Sequence, residues 1–127
     1  MGADTIIGID LGTSTTEAAV IRDGKPVMIV NFDGQVITPS AAGVDKDGQL
    51  VFGEKAKAQY LLATEDTVIE AKRKIGTKEK LRMGSKDYTP VEISSMLLQY
   101  VKDYVSESLG EDISRAVISV PAYFDDL

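Results

Sequence analysis

The beginning of the chain alternates between apolar stretches and short polar turns. Two apolar runs, at residues 6–9 and 18–20, flank a turn that contains Gly12 and several hydroxyl side chains. Apolar runs on either side of such a turn predict a strand, a tight turn and a second strand. The dipeptide Asp23-Gly24 favours left-handed turn conformations and predicts a hairpin into a third strand, residues 27–30. These three strands are expected to form an antiparallel meander.

After the third strand, polar clusters predict turns between short extended pieces. Residues 31–34 form such a turn, and residues 37–44 are expected to be extended, with Pro39 confined to an edge or a strand start. The sequence Asp45-Lys46-Asp47-Gly48 predicts a further hairpin onto residues 50–52. It begins like a calcium loop but lacks the rest of that pattern, including the glutamate at the twelfth position, so a hairpin turn is favoured.

The apolar spacing then becomes helical. Ala56, Tyr60 and Leu61 predict a short amphipathic helix over residues 54–63. A second helix is expected over residues 68–75. This helix would be capped by Asp66 or Thr67 and would end at Gly76.

The clearest helix start in the sequence is Thr89-Pro90-Val91-Glu92. A threonine cap, a proline at the first position and a glutamate three residues after the cap are typical of helix N-termini. The helix is expected to end at Gly110 and to bury one wide apolar face. That face consists of Ile93, Met96, Leu97, Tyr100, Val101, Tyr104 and Val105.

Two further segments flank this helix in the sequence. Residues 77–87 are polar and are expected to form a loop. Residues 116–120 are apolar except for Ser119 and predict a final buried strand that Pro121 stops.

Composition narrows the classes of function. The chain has 127 residues, a net charge of −6, and neither histidine nor cysteine. The negative charge argues against nucleic acid or anionic membranes as the main partner. The missing residue types exclude thiolate chemistry, the usual hydrolase triads and most catalytic zinc sites. Since the sequence shows no signal-peptide pattern and no apolar run of transmembrane length, we expect a cytoplasmic protein.

The turn after the first strand carries the candidate chemistry. Asp10 lies at the end of that strand, and Gly12, Thr13 and Ser14 follow it. A glycine permits close backbone approach, and backbone N–H groups and hydroxyls can cradle an anion. A carboxylate next to a bound phosphate requires a cation between them, so the pattern indicates a metal-bound nucleotide. Taken alone, such a turn is more commonly only a turn.

Several stretches resemble the DnaK-type heat-shock-70 chaperones, within the superfamily that also contains actin and the sugar kinases. Residues 7–13 resemble the first phosphate signature of the superfamily, which sugar kinases share. Four later stretches distinguish the chaperones and occur in the family's order. They are Asn31-Phe32-Asp33-Gly34 with Thr38-Pro39-Ser40, Gly53 with Ala56, Ala71-Lys72-Arg73-Lys74-Ile75-Gly76, and Ala116-Val117-Ile118-Ser119-Val120-Pro121-Ala122-Tyr123-Phe124.

This resemblance implies an α/β fold, a ribonuclease-H-like (actin-like ATPase) half-domain with an inserted α+β subdomain. Residues 1–31 and 113–127 would form the incomplete ribonuclease-H-like lobe. Residues 32–112 would form the subdomain over the nucleotide cleft. The stretch between Gly76 and Thr89 is shorter than in typical members, as in the short-lobed, HscC-like chaperones.

The resemblance also implies roles for individual residues. Gly12 to Ser14 would contact the β- and γ-phosphates of ATP or ADP, and Asp10 would hold Mg²⁺ or K⁺, through water. Lys72 would reach the γ-phosphate and help to position the attacking water. Pro121 would couple the nucleotide state to peptide binding, although it could equally be a simple strand stop. Residues 72–86 contain seven basic residues and one acidic residue, and apart from Lys72 we interpret them as a solvated surface.

The implied function is that of the N-terminal part of a chaperone ATPase domain. The intact protein would hydrolyse ATP to control the capture of unfolded peptides, together with co-chaperones. These residues alone would bind nucleotide weakly at most and would hydrolyse none. Two alternatives stay open. One is a sugar or small-molecule kinase of the same superfamily, and the other is a non-enzymatic module that self-associates through an uncovered sheet face.

Overall fold

The structure is a computed structural model that describes residues 5–119. Within this range the chain forms three sheets and two α-helices. The strands are β1 Ile6–Leu11, β2 Thr15–Arg22, β3 Lys25–Met28, β4 Thr38–Pro39, β5 Ala41–Val44, β6 Leu50–Phe52, β7 Thr67–Ile69, β8 Leu81–Met83, β9 Lys86–Tyr88 and β10 Arg115–Ser119. The helices are α1 Glu54–Gln59 and α2 Pro90–Leu109, and two short 3-10 turns cover Thr64–Asp66 and Ala71–Lys74. The expected α/β fold is confirmed.

The main sheet has the strand order β10-β1-β2-β3, and β4 pairs with the start of β2. Strands β1, β2 and β3 form the predicted antiparallel meander, and β10 runs parallel to β1. In the hairpin between β2 and β3, Asp23 and Gly24 both have positive φ angles, 52° and 77°. Because this two-residue turn pairs Arg22 directly with Lys25, β3 begins two residues earlier than predicted.

Two hydrophobic cores lie on opposite halves of helix α2. Residues of β1 alternate between buried and exposed, so that one face of the main sheet packs against the C-terminal half of the helix. This core contains Ile7, Ile9, Leu11, Ala18, Val20, Ile29, Val101, Tyr104, Val105 and Ile113. The N-terminal half of the helix packs on the smaller sheets, in a core of Ala42, Val68, Ala71, Leu81, Met83, Ile93 and Leu97. Helix α2 therefore holds the main sheet and the smaller sheets together.

The N-terminus of α2 has the predicted capping box. The Thr89 hydroxyl accepts a hydrogen bond from the Glu92 backbone N–H at 3.1 Å, and the Glu92 carboxylate accepts one from the Thr89 N–H at 2.7 Å. These bonds to Thr89 hold the pKa of the Glu92 carboxyl below its ordinary value of 4.5. The helix ends at Gly110, whose φ angle is 70°, as predicted. No helix among residues 5–119 is both long and apolar enough to cross a membrane.

The helix predicted over residues 68–75 is wrong. Instead, Thr67–Ile69 forms β7, which pairs with β5, and Ala71–Lys74 forms a single 3-10 turn. The β-branched residues at positions 67–69 favour a strand once a partner strand is available. Glu70 then adopts a left-handed conformation with a φ angle of 55°, which ends the extended segment.

The loop predicted over residues 77–87 is also wrong, because β8 and β9 form an antiparallel hairpin there. Leu81 and Met83 lie on one side of β8 and are buried in the second core. The predicted helix at residues 54–63 exists, but it ends at Gln59. Ala56 is buried, but Leu61 and Leu62 are 88% and 93% exposed, so the leucines beyond Gln59 do not face a core.

The last strand is present but not buried. All five residues of β10, Arg115–Ser119, are exposed, because this edge strand of the main sheet contributes no residue to either hydrophobic core. Val120 and Pro121 lie outside the described residues, so the expected strand stop at Pro121 stays a prediction.

Candidate functional site

The turn between β1 and β2 is closed by one short backbone contact. The Gly12 N–H donates to the Thr15 carbonyl oxygen at 2.9 Å. A Cβ atom on Gly12 would lie 2.4 Å from that same oxygen, closer than any real Cβ contact. The tight turn predicted from the sequence is therefore present, and only glycine fits at this position.

Ser40 binds this turn from the side of β4 and β5. Its backbone N–H donates to the Ser14 carbonyl at 2.9 Å, and its hydroxyl donates to the Gly12 carbonyl at 2.9 Å. The hydroxyls of Ser40 and Thr16 are 2.8 Å apart, and both side chains are buried. The turn is thus held by a neighbouring strand segment as well as by its own hairpin.

Asn31 fixes the segment that carries Ser40. Its side-chain amide donates to the Thr38 hydroxyl at 2.8 Å, and its side-chain oxygen accepts from the backbone N–H groups of Asp33 and Gln35 at 2.8 and 3.0 Å. Asn31 and Thr38 are both buried. Sequence reasoning linked Asn31, Thr38 and Ser40 to the family resemblance but assigned them no role. A buried asparagine that opens a turn before a Thr-Pro-Ser segment is the signal that could have identified them.

Asp10 lies at the open edge of the same turn. Its carboxylate is exposed and accepts a hydrogen bond from the Ser119 hydroxyl on β10 at 2.8 Å. In the antiparallel register, Asp10 is directly opposite Glu17 on β2, so both carboxylates share one face of the sheet. Sequence reasoning missed Glu17, although a tight turn between the strands already implies this register.

The acidic groups here do not form a complete metal cage. Within residues 5–119 there is no group of three or more histidine, cysteine or acidic side chains that could hold a metal ion. Asp10 could therefore hold a cation through a single carboxylate, and water would have to fill most of the cation's other ligand positions. This fits a hard cation such as Mg²⁺, which keeps several waters and takes few protein carboxylates.

Lys72 lies in the 3-10 turn that follows β7. Its side chain is buried, with 6% of the residue exposed. Ile69 and Glu70, which lead into this turn, line a cavity of about 340 Å³ together with Ser14 and Ser40. The structure therefore brings the segment that precedes Lys72 to the same cavity as Ser14, in the turn between β1 and β2 that also contains Gly12 and Thr13 and follows Asp10.

Comparisons with known proteins agree on one family. The chain matches the family described as "Hsp70 protein" over residues 6–83 and 78–127. It is 42% identical over 126 residues to the chaperone protein DnaK of Mycoplasmopsis agalactiae, covering 99% of this chain and 21% of that relative. It is 47% identical over 125 residues to the chaperone protein DnaK of Thermoplasma acidophilum, covering 95% of this chain and 20% of that relative. The chain thus spans about a fifth of the length of these curated relatives.

Proposed function

Because the chain belongs to the Hsp70 family, we propose that it forms one wall of an ATP-binding cleft and binds the nucleotide's phosphates at the turn between β1 and β2. The observation that carries this proposal is the geometry at Gly12. The backbone there comes so close to Thr15 that no side chain fits, and Ser40 holds both neighbouring carbonyls. Such a fixed turn of backbone amides and hydroxyls is suited to a polyphosphate.

Each predicted site residue then has a part in phosphate binding. Gly12 to Ser14 supply backbone N–H groups and hydroxyls, and Asp10 orients the waters of a bound cation. Lys72 supplies a positive charge toward the γ-phosphate. Bound Mg²⁺ would neutralise phosphate charge, with K⁺ as a further cation. Phosphoryl transfer depends mainly on positioning and charge stabilisation, so these parts are suitable without a histidine base.

The domain division follows the same proposal. Residues 1–31 and 113–127 belong to a ribonuclease-H-like lobe, and residues 32–112 form a subdomain over the cleft. Most strands of residues 32–112 lie in the two smaller sheets, which supports this division, and β4 is the exception because it pairs with β2 of the main sheet. Helix α2 packs against both and would transmit movements between them.

The whole protein would act as a chaperone that hydrolyses ATP to control the capture of unfolded peptides. Co-chaperones would regulate this cycle, and Pro121 would couple the nucleotide state to peptide binding. The relatives named above are chaperones about five times as long as this chain, which supports the proposal. The 127 residues alone would bind nucleotide weakly and would not hydrolyse it.

The proposal predicts a specific role for Lys72. Calorimetric titration of the chain with Mg·ATP at millimolar concentrations should show weak binding. Lys72→Ala should weaken that binding by at least about tenfold, because hydrogen bonds to charged groups contribute about 1.5–3 kcal/mol. Arg73→Ala is the matched control, since Arg73 is an exposed cation in the same 3-10 turn and pairs with Glu70. Equal losses in both variants would contradict the proposal.

A second candidate function is self-association through the outer face of the main sheet. Ile6, Ile21, Met28 and Val117 lie on this face, and their exposed fractions are 44%, 61%, 43% and 69%. Exposed apolar patches of this kind commonly mark contact surfaces. Sedimentation equilibrium should show a mass that rises with concentration, and Val117→Lys should reverse the rise. A monomer at the highest concentration would exclude this candidate.

A further inference from the structure

We infer that Ser40 is a positioning residue for the proposed phosphate site. It holds two carbonyl groups of the turn between β1 and β2 and thereby directs the N–H groups of Thr13 and Thr15 toward the opposite side, where the phosphate binds. That the bound anion is a phosphate rests on the proposed function. The claim that Ser40 orients the two N–H groups does not rest on it, so the two claims can be tested separately.

The direction of the hydrogen bonds follows from the inventory of donors. A serine hydroxyl has one proton, and that of Ser40 is donated to the Gly12 carbonyl at 2.9 Å. The 2.8 Å contact between the hydroxyls of Thr16 and Ser40 must then use the proton of Thr16. Thr16 therefore donates to Ser40, and Ser40 donates to Gly12. The side chains of Thr16 and Ser40 are both buried, and hydrogen bonds are electrostatically stronger in such an environment than in water.

Because peptide groups are planar, the hydrogen bonds from Ser40 to the two carbonyls also set the orientation of the N–H groups that follow those carbonyls. In a trans peptide the carbonyl of one residue and the N–H of the next point in opposite directions. The Gly12 carbonyl shares its peptide with the Thr13 N–H, and the Ser14 carbonyl shares its peptide with the Thr15 N–H. Because both carbonyls point at Ser40, both N–H groups point away from it. Both N–H groups therefore lie on the side of the turn that faces away from Ser40, where successive backbone N–H groups can bind an anion.

Ser40 uses a different group for each carbonyl, and this difference gives a sharp prediction. Its hydroxyl holds the Gly12 carbonyl, whereas its backbone N–H holds the Ser14 carbonyl. Removal of the hydroxyl should therefore release the peptide that contains the Thr13 N–H. The peptide that contains the Thr15 N–H should stay in place.

Residual dipolar couplings of the ¹⁵N-labelled 127-residue chain measure these orientations directly. In Ser40→Ala we expect the coupling of the Thr13 N–H to change, while those of Thr15 and of helix α2 stay the same. Thr16→Val removes only the donor to Ser40 and should give a smaller change at Thr13. Ser95→Ala, an exposed serine on α2, is the matched control and should give none. An unchanged Thr13 coupling in Ser40→Ala would overturn the inference.

A titration with Mg²⁺ and inorganic pyrophosphate tests the consequence for binding. We expect the amides of the turn to shift in the wild-type chain, and Ser40→Ala to bind about tenfold more weakly, the effect of losing roughly one buried hydrogen bond. Equal affinity in the two proteins would also overturn the inference. If the wild-type amides do not respond but Thr13 still reorients in Ser40→Ala, the positioning by Ser40 stands and the proposed phosphate binding fails. If Ser40→Ala changes couplings throughout the chain, the inference is tested with Thr16→Val instead. An unchanged Thr13 N–H coupling in that variant would then overturn it.

Discussion

Gly12→Ala is expected to abolish phosphate binding and to lower the free energy of unfolding by about 2 kcal/mol, as for overpacked sites generally. The added Cβ would lie 2.4 Å from the Thr15 carbonyl oxygen, which is a backbone atom and cannot rotate away. The turn must therefore open, and the hydrogen bond between Gly12 and Thr15 must lengthen. Urea unfolding and pyrophosphate titration measure the two effects.

Gly8→Ala is the matched control for this experiment. Gly8 lies on β1, the strand that leads into the turn, but a Cβ added there meets nothing within 4 Å. We expect a change in stability within about 0.5 kcal/mol, as for ordinary surface substitutions, and normal phosphate binding. If the two variants lose stability equally, the loss in Gly12→Ala is the general cost of replacing a glycine in this hairpin and does not come from the closure of the turn.

Asn31→Ala is expected to lower the free energy of unfolding by about 2–4 kcal/mol, the cost of leaving several buried polar groups unpaired. The substitution removes the donor to the buried Thr38 hydroxyl and the acceptor for two backbone N–H groups. Because Thr38 pairs with Thr16 in the main sheet, the loss should extend to the segment that carries Ser40. Chemical denaturation measures the stability, and the Ser40 amide shift reports the local change.

Asp45→Ala provides a comparison with the same turn chemistry in an exposed place. The Asp45 carboxylate accepts from the N–H groups of Asp47 and Gln49, both at 2.9 Å, in the same pattern as Asn31. Water can replace these exposed bonds, so we expect a loss of only about 0.5–1 kcal/mol. Equal losses in Asn31→Ala and Asp45→Ala would show that the buried bond to Thr38 contributes nothing.

The elements that the sequence predicted well are those specified by adjacent residues. Asp23-Gly24 sets the turn between β2 and β3, and Thr89 with Glu92 sets the start of α2. Each of these signals depends on contacts within a few residues, so no knowledge of the rest of the fold is needed.

The elements that were missed depend on partners distant in the sequence. Thr67, Val68 and Ile69 form a strand because β5 lies beside them, and Leu81 and Met83 alternate over only three residues. In such short segments the periods of a helix and a strand cannot be distinguished. Burial in the core under α2 decides between them.

In the candidate site, too, features set by neighbouring residues were predicted, and features set by residues distant in the sequence were not. Asp10 and Gly12 to Ser14 lie within five consecutive residues, so a local motif was enough to bring them together. Ser40 and Asn31 entered only through family likeness, because their hydrogen bonds to the turn and to Thr38 require the pairing of β4 with β2. Their roles are a property of the fold and could not be read from residue spacing.

The most direct test of the central claim is the site of paramagnetic broadening by Mn²⁺ in the presence of ATP. Spectra of the ¹⁵N-labelled chain with Mn·ATP are compared with spectra with Mg·ATP, so that only proximity to the ion changes. The account predicts that broadening is strongest at Asp10 and at the amides of Gly12 to Ser14, with Lys72 close behind. Broadening centred on the exposed carboxylates of Asp45 and Asp47, with the turn between β1 and β2 unaffected, would contradict it.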